Sequence, residues 1–217
     1  MPRPPPELIL ASASPRRSKL LGEAGVSFTV IPADIDESAR PAETPRELVV
    51  RLAAEKARAV AERLGAQPRR LVLGSDTIVV IGEEVLGKPS DSEHAVALLG
   101  QILGRRHTVF TGIALLDSAS GIVQTQCVAS DVVMRAAGEA EVRAYVATGE
   151  PLDKAGAYAL QGIGRKFVER VIGSESNVIG LPLEETLALL RNAGCAVNAS
   201  VAKRRAQRAG RRAESKS

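Results

Sequence analysis

Leu71-Val-Leu-Gly-Ser-Asp-Thr-Ile-Val-Val-Ile81 is a strongly apolar run with a small polar interruption at its centre. Its apolar ends predict a buried strand, broken by Gly74-Ser75-Asp76-Thr77. Working outward, a turn at Gly82-Glu83 leads into Val85-Leu86, and Ser90 or Asp91 caps a helix to about Leu99. Upstream, Thr44-Pro45-Arg46-Glu47 is a capping box opening a helix to about Leu64, with Gly65 as its stop. Before it come a short strand, Leu8 to Ala11, a helix start at Ser14-Pro15, and a second strand at Phe28 to Ile31. Downstream, His107 to Leu116 and Ile122 to Arg135 flank a turn at Asp117 to Gly121 and predict a long hairpin. A helix from about Glu139 to Thr148 ends at Gly149, and a Gly-rich stretch runs to Gly164. A strand follows around Phe167 to Ile172, then a helix from Leu183 to Asn192 that ends at Gly194. Interspersed helices and strands predict an α/β fold. The hairpins predict a mixed, partly antiparallel sheet with flanking helices.

Three groups of polar residues sit where local stability would not put them. Asp76 lies inside the apolar strand, and burying a carboxylate costs several kcal/mol unless it is paired, hydrogen-bonded or on a metal. Backbone amides could satisfy it; a metal ligand or general base suits it better if cations are in reach. Ser12-Ala13-Ser14-Pro15-Arg16-Arg17 feeds a strand into a helix N-terminus, a natural anion site, yet places two arginines in the first turn against the helix dipole. A docked polyanion gripped by guanidiniums explains that arrangement, and a solvent-facing basic turn is the alternative. Lys56 falls at about 80° on a helical wheel, between Leu52 at about 40° and Val60 at about 120°, with Leu48 at zero. A lysine in the middle of an apolar face either snorkels outward or reaches a buried anion.

Gly82-x4-Gly87-Lys88 imitates a phosphate-binding P-loop, but Pro89 replaces the Ser/Thr that would ligate magnesium. Pro89 also keeps Lys88 out of the helical region, so Lys88 is left as a point charge on a hairpin. His94 and His107 have neither zinc-ligand nor triad spacing and read as surface or strand-end residues. Cys127 and Cys195 fit no metal or redox spacing and read as free thiols. Any chemistry falls to carboxylates, a hydrated divalent cation and basic phosphate clamps.

Composition bounds the rest. The 217 residues suit one compact domain or two closely joined lobes. Three Phe, two Tyr and no Trp leave too few platforms for a base-stacking single-strand binder. No apolar run approaches the roughly 20 residues that span a bilayer. Met1 to Pro6 lacks the apolar region of a signal peptide, so a cytoplasmic location is expected and no membrane partner. Residues 203–217 carry seven Lys/Arg and one acid, a net of +6; the whole chain carries +4, leaving residues 1–202 at −2. The expected division is therefore a domain over 1–202 and a basic, disordered tail over 203–217. Nucleic-acid contact through that tail is the alternative to a solvated terminus.

Taken in order, Leu10-Ala-Ser-Ala-Ser-Pro-Arg-Arg17, Gly74-Ser-Asp-Thr77, Gly87-Lys-Pro89, His107-Thr-Val-Phe-Thr-Gly112, Glu150-Pro-Leu-Asp-Lys-Ala-Gly-Ala-Tyr158 and Gln161-Gly162 resemble the Maf proteins. Asn177-Val-Ile-Gly-Leu-Pro182 is similar to that family's closing motif. The likeness runs from about Leu8 to Ala193. It implies two lobes around a deep cleft, related to inosine triphosphatases, often assembled as a homodimer and dependent on Mg²⁺ or Mn²⁺. It implies hydrolysis of nucleoside triphosphates to monophosphate and pyrophosphate. The family's catalytic aspartate maps onto Asp76, and its phosphate and metal group onto Ser12, Arg16, Arg17, Glu37, Lys56 and Lys88. Asp36 precedes Glu37 in the same acidic loop, and the alignment favours Glu37 as the ligand beside Asp76. Thr77, Gln161 and Arg16 match the branch acting on dTTP and UTP rather than the one preferring 7-methyl-GTP. Glu175 stands where many members carry an aromatic residue, at the expected rim of the pocket.

On this reading Asp76, alone or through a bound Mg²⁺, deprotonates a water that attacks the α-phosphorus, while Arg16, Arg17, Lys56 and Lys88 neutralise the departing pyrophosphate. Asp153 and Lys154 would order the wall of the cleft. The same chemistry on a modified nucleotide, or a nucleotide-sensing division regulator that binds without hydrolysis, are the competing readings.

Overall fold

The computed structural model describes residues 5–197, so the basic tail over 203–217 lies outside the described residues. Seven strands form one mixed sheet: β1 (Glu7–Ala11), β2 (Thr29–Val30), β3 (Arg70–Ile81), β4 (Glu84–Leu86), β5 (Arg106–Asp117), β6 (Val123–Met134) and β7 (Val168–Ile172). Six helices accompany them: α1 (Pro15–Glu23), α2 (Pro45–Leu64), α3 (Ser92–Ile102), α4 (Glu139–Val146), α5 (Glu175–Ile179) and α6 (Leu183–Asn192). The strand order is β2-β1-β3-β5-β6-β7, with β4 paired to β3. Both neighbours of β1 run parallel to it, and the remaining pairs are antiparallel. No helix among the described residues is long and apolar enough to cross a membrane.

From β1 the chain passes through α1 to β2 on one side, then through α2 to β3 on the other. The carboxyl ends of β1 and β3 therefore flank a topological switch point, where open α/β sheets form a crevice. β1 pairs with β3 only as far as Ala11–Gly74, and β4 takes over that edge at Val79. Ser75 to Ile78 thus have no partner strand on that edge among the described residues. The expected break in this strand is corrected: β3 runs unbroken for 12 residues. Its other edge is laddered to β5 from Leu71–Asp117 through Val80–Thr108, and this pairing overrides the weak local propensity of Gly-Ser-Asp-Thr.

Alternation along the strands sorts the core. Leu8, Leu10, Leu71, Leu73, Ile113 and Leu115 face α1 and α6, where Leu20, Leu21, Leu187 and Leu190 meet them. Each fully buried leucine contributes about 1.5–3 kcal/mol. On the same face, Val79, Val109 and Val132 pack against α3, α4 and the short 3₁₀ turns between residues 150 and 167. The opposite face belongs to α2, whose Ala53, Ala57 and Val60 cover Ile9 and Val72 and whose Leu48 and Leu52 cover Ile78 and Val80.

α2 lies unusually close to the sheet. A Cβ on Gly74 would stand 2.0 Å from the Ala53 carbonyl oxygen, and one on Gly112 would stand 2.1 Å from that of Val49. Helix backbone rests on strand backbone at both places. The capping box fixes where this helix starts: Thr44 Oγ1 accepts from the Glu47 N–H, and Glu47 returns a bond to the Thr44 N–H at 2.9 Å.

His107 meets the strand-end expectation and not the surface one. It does stand at the beginning of a strand, but it is only 2% exposed. Its Nε2 is 2.8 Å from Tyr158 Oη, while Nδ1 is buried without a partner. Burial lowers its pKa to about 4, with Asp131 opposing the shift. His94, as expected, is exposed, at the start of α3 beside Ser90.

Gly112→Ala should destabilise the fold by about 3 kcal/mol, because the added methyl meets a carbonyl and not a yielding side chain. Gly100→Ala, in α3 with nothing within 4 Å, should instead stabilise by about 0.5–1 kcal/mol; urea unfolding of both variants checks the contrast. The His107 shift also carries a sign. The unfolded chain takes up this proton near its ordinary pKa of 6.5 and the folded chain only near 4. Stability is complete above pH 6.5 and falls between 6.5 and 4. From pH 7 to 5 the wild type should lose about 2 kcal/mol more than His107→Gln, measured by urea unfolding at the two pH values.

Candidate functional site

The switch-point crevice opens into a cavity of about 330 Å³. Ser12, Arg16 and Arg17 enter it from the β1–α1 junction, Glu37 from the loop before α2, and Lys56 from α2. Asp76 and Thr77 come from β3, Lys88 from the segment after β4, and Gln161 from the loop between the second and third 3₁₀ turns. All nine residues expected at a site are therefore brought to one pocket.

At its centre is a chain of charges. Lys56 Nζ lies 2.6 Å from Asp76 Oδ1 and 2.6 Å from Glu37 Oε1. Lys56 and Asp76 are 7% and 6% exposed, so the lysine on the apolar face of α2 reaches a buried anion and does not snorkel. Of the two acids in the loop, Glu37 meets Lys56, whereas Asp36 turns back to accept from the Ser38 N–H at 2.9 Å. Burial pushes the Glu37 carboxyl up, but its hydrogen bond to Lys56 and the charges of Lys56, Lys88 and Arg17 outweigh this and hold it below the usual range. Arg51 fastens this loop onto α2: it donates to Glu43 at 2.6 Å, to Glu55 at 2.9 Å and to the Ser38 carbonyl at 3.0 Å.

The second part of the site is the start of α1. Its first turn has no acidic residue, and Ser14, although it occupies the N-cap, makes no capping bond with its side chain. Its backbone N–H turns to Ser12 Oγ at 3.2 Å. Arg17 points inward, donating through Nε to the Gly180 carbonyl at 2.8 Å and through its two terminal nitrogens to Ser12 Oγ and Thr77 Oγ1, each at 3.1 Å. Burial lowers the Arg17 pKa and the charge of Asp76 counters it. Arg16 faces Asp153 at 3.6 Å, and Asp153 also pairs with Lys154. The ionic residues of the pocket wall are Arg16, Arg17, Lys56, Lys88 and Lys154 against Glu37, Asp76 and Asp153. The surplus is cationic, which suits a polyanion.

The far wall is apolar, with Val79, Val109, Tyr158, Leu160 and Ile179, and ends at exposed Gln161. Glu150, assigned no role from the sequence, fixes this end. Its carboxylate accepts from the Ile163 N–H at 3.0 Å and the Gly164 N–H at 2.8 Å. Gly162, at φ 127°, lets the chain pass where a Cβ would stand 1.8 Å from Glu150 Oε1. A carboxylate placed before a Gly-rich turn that lacks its own cap was the available signal. Glu175 opens α5 on the exposed surface and is not among the residues of the cavity wall. The closing motif has a structural use instead. Asn177 is fully buried, donates to the Val109 carbonyl at 3.1 Å and to Ser130 Oγ at 3.0 Å, and so holds α5 with its Gly180 carbonyl against the sheet.

A family model described as Maf-like protein matches residues 7–193. The dTTP/UTP pyrophosphatase of Anaeromyxobacter dehalogenans (strain 2CP-C) is 53% identical over 191 residues, 87% of this chain and 95% of that protein. The protein of the same name from Desulfotalea psychrophila is 48% identical over 183 residues, 84% of this chain and 92% of the relative. Among solved structures, the Ham1 protein of Staphylococcus aureus aligns over 86% of this chain and 98% of its own at 14% identity, with a TM-score of 0.44.

Removing one member of the buried Lys56–Asp76 pair should be far worse than removing both. Lys56→Met leaves a carboxylate without its cation and should cost about 3–5 kcal/mol at pH 7, whereas Lys56→Met combined with Asp76→Leu should recover most of that loss in urea unfolding.

Proposed function

We propose, from the premise that this chain belongs to the Maf-like protein family, that it is a nucleoside triphosphate pyrophosphatase whose substrates are dTTP and UTP. The observation that carries the reading is the Glu37–Lys56–Asp76 chain of charges opening onto an acid-free helix N-terminus flanked by Arg16 and Arg17. Backbone N–H groups and guanidiniums there suit the triphosphate. The apolar wall and the Gln161 amide, a donor and an acceptor side by side, suit the O4 and N3–H edge of uracil or thymine.

The hydrolysis follows from the residues in place. Lys56 donates to one oxygen of Asp76 and fixes the carboxylate in its buried position. Asp76 takes a proton from a water as that water's oxygen bonds to the α-phosphorus. The bond from the α-phosphorus to the oxygen bridging to the β-phosphate breaks, and the electron pair leaves on pyrophosphate. Arg16, Arg17 and Lys88 neutralise that charge, the largest single contribution open to a site of this kind. Ser12 Oγ already accepts from Arg17 and the Ser14 N–H, so its own proton is left to donate to a phosphate oxygen.

The donor set fits Mg²⁺ or Mn²⁺. Glu37 and Asp76 both approach Lys56 Nζ to 2.6 Å, which brings two carboxylates to one centre. Two carboxylates completed by water and substrate phosphates are the usual surroundings of Mg²⁺, in contrast to an all-protein cage. Glu37 and Asp76 would hold the ion, which when bound supplies Lewis-acid polarisation of phosphate oxygens. The reading places the enzyme with the cytoplasmic nucleotide pool.

Pyrophosphate release should be measured with Mg²⁺ or Mn²⁺ across the common triphosphates, 7-methyl-GTP and ITP. Release should favour dTTP and UTP, stop on chelation with EDTA, and fall roughly 100-fold or more in Asp76→Asn with nucleotide binding retained. A purine preference would overturn the base assignment. Binding without release from any nucleotide would replace the hydrolase by a sensor.

A further inference from the structure

We infer that Arg51 is a positioning residue for Glu37 and acts on the reaction through that carboxylate alone. The inference rests on the pyrophosphatase reading and extends it to a residue outside the cavity wall. Between Val30 and Pro45 the chain forms neither helix nor strand, so no ladder of backbone bonds fixes where Glu37 stands. The Glu37 side chain is 55% exposed and meets Lys56 Nζ at 2.6 Å. That contact cannot hold the loop by itself. A divalent cation held by Glu37 and Asp76 would draw on the same carboxylates as the ammonium. The loop therefore needs an anchor that does not pass through Lys56.

Arg51 supplies it. The side chains of Arg51 and Glu43 are only 12% and 8% exposed. Arg51 meets both oxygens of Glu43, through Nε at 2.6 Å and a terminal nitrogen at 2.7 Å. The same terminal nitrogen donates to the Ser38 carbonyl at 3.0 Å, and the other one to Glu55 at 2.9 Å. Ser38 follows Glu37 directly, and the Asp36 carboxylate closes across Glu37 onto the Ser38 N–H at 2.9 Å. The two neighbours of Glu37 are thereby tied to one another and, through Ser38, to α2. Arg40 adds a second tie, from its guanidinium to the other oxygen of Glu55 at 2.9 Å. Arg51 and Glu55 stand one turn apart on α2, and Lys56 is the next residue. At Gly74, just before Asp76, this helix rests on β3 backbone to backbone. Loop, lysine and aspartate therefore share one rigid reference. At 100° per residue Arg51 points about 140° away from Lys56, so it reaches the site only by way of the loop. A planar guanidinium can grip two carboxylate oxygens and a carbonyl together, which an ammonium cannot.

The test has two readouts, each a titration with Mn²⁺. One is pyrophosphate release from dTTP; the other is Mn²⁺ binding without nucleotide, followed by loss of the free-ion EPR signal. The proteins are wild type, Arg51→Met, Arg51→Lys, Glu43→Gln, Glu37→Gln and Arg51→Met combined with Glu37→Gln. Arg143→Met, whose pairs with Glu93 and Glu139 lie outside the cavity wall, is the control. Arg51→Met should raise both the half-saturating Mn²⁺ and the Mn²⁺ Kd about 10-fold, with kcat at saturating Mn²⁺ within about twofold of wild type. Arg51→Lys should behave like Arg51→Met, and Glu43→Gln should move the same way by less. In the Glu37→Gln background Arg51→Met should change almost nothing further, because both act through one carboxylate. Arg143→Met should follow the wild-type curves. The inference is overturned if Arg51→Met leaves both Mn²⁺ curves in place, or if it shifts the Glu37→Gln curves as far as those of the wild type. Should Arg51→Met fail to fold, Arg51→Lys and Glu43→Gln decide by the same shifts. A wild type that releases no pyrophosphate overturns the pyrophosphatase reading instead, and the EPR titration then still decides whether Arg51 holds Glu37.

Discussion

The contact of α2 with the sheet is the constraint from which the site follows. At Gly74 and Gly112 the helix carbonyls of Ala53 and Val49 approach to where side chains would ordinarily stand. A helix held off by even alanine side chains would carry Lys56 away from Asp76. Because it lies so low, the lysine reaches the carboxylate at 2.6 Å while both remain almost wholly buried. The pair is tolerable only because it is complete: each charge would cost several kcal/mol alone, and together with Glu37 they form a short ordered line from core to pocket. The glycines of Gly-Ser-Asp-Thr and of the hairpin motif that ends at Gly112 thus act on chemistry they never touch.

Much of this could be read from residue types. The capping box placed α2 correctly, and the helical wheel singled out Lys56 as a cation aimed at something buried. The two arginines at the start of α1, where the dipole favours acids, marked that turn as unusual, and both reach the pocket wall. What escaped reading has physical causes. β3 seemed interrupted because propensity is local, whereas the β5 ladder that carries it through Gly74–Thr77 is not. α5 has only five residues, too few to display a helical period. His107 offers no sequence cue for burial, since its partner Tyr158 is far along the chain. The Gly180 carbonyl that orients Arg17 is a backbone atom, invisible to any argument from side-chain types. Glu150 was in plain view within a motif, yet its task depends on two N–H groups of a turn whose course only the fold defines.

The arginines at α1 run against the helix that carries them. A helix dipole alone would favour acids in that turn. Here Arg16 is balanced by Asp153, and Arg17 is anchored to neutral oxygens of Ser12, Thr77 and Gly180. Anchoring a guanidinium to neutral acceptors leaves its charge unspent. An Arg17 paired directly with a carboxylate would have to give up that partner, or share it, when phosphate arrived. Burial and the adjacent cation Arg16 both work against the charged form, and Asp76 and Glu37 support it from a distance.

The order of residues in Gly74-Ser75-Asp76-Thr77 then becomes a consequence of strand geometry. With a period of two, Gly74 and Asp76 face α2, and Ser75 and Thr77 face Arg17 and Gly180. One face supplies the close approach and the carboxylate, and the other supplies the hydroxyls that meet Arg17 and the Gly180 carbonyl. Both functions reach the same pocket only because β1 stops at Ala11, leaving this stretch of β3 with an open edge before β4 begins. A slip of one residue would turn the carboxylate toward the arginine and the hydroxyl toward the lysine. Asp76 would then pair with the guanidinium, and Lys56 would be buried without an anion. The eleven-residue ladder between β5 and β6 and the ten-residue ladder between β3 and β5 fix the register against that slip, so the antiparallel half of the sheet decides which face Asp76 and Thr77 occupy.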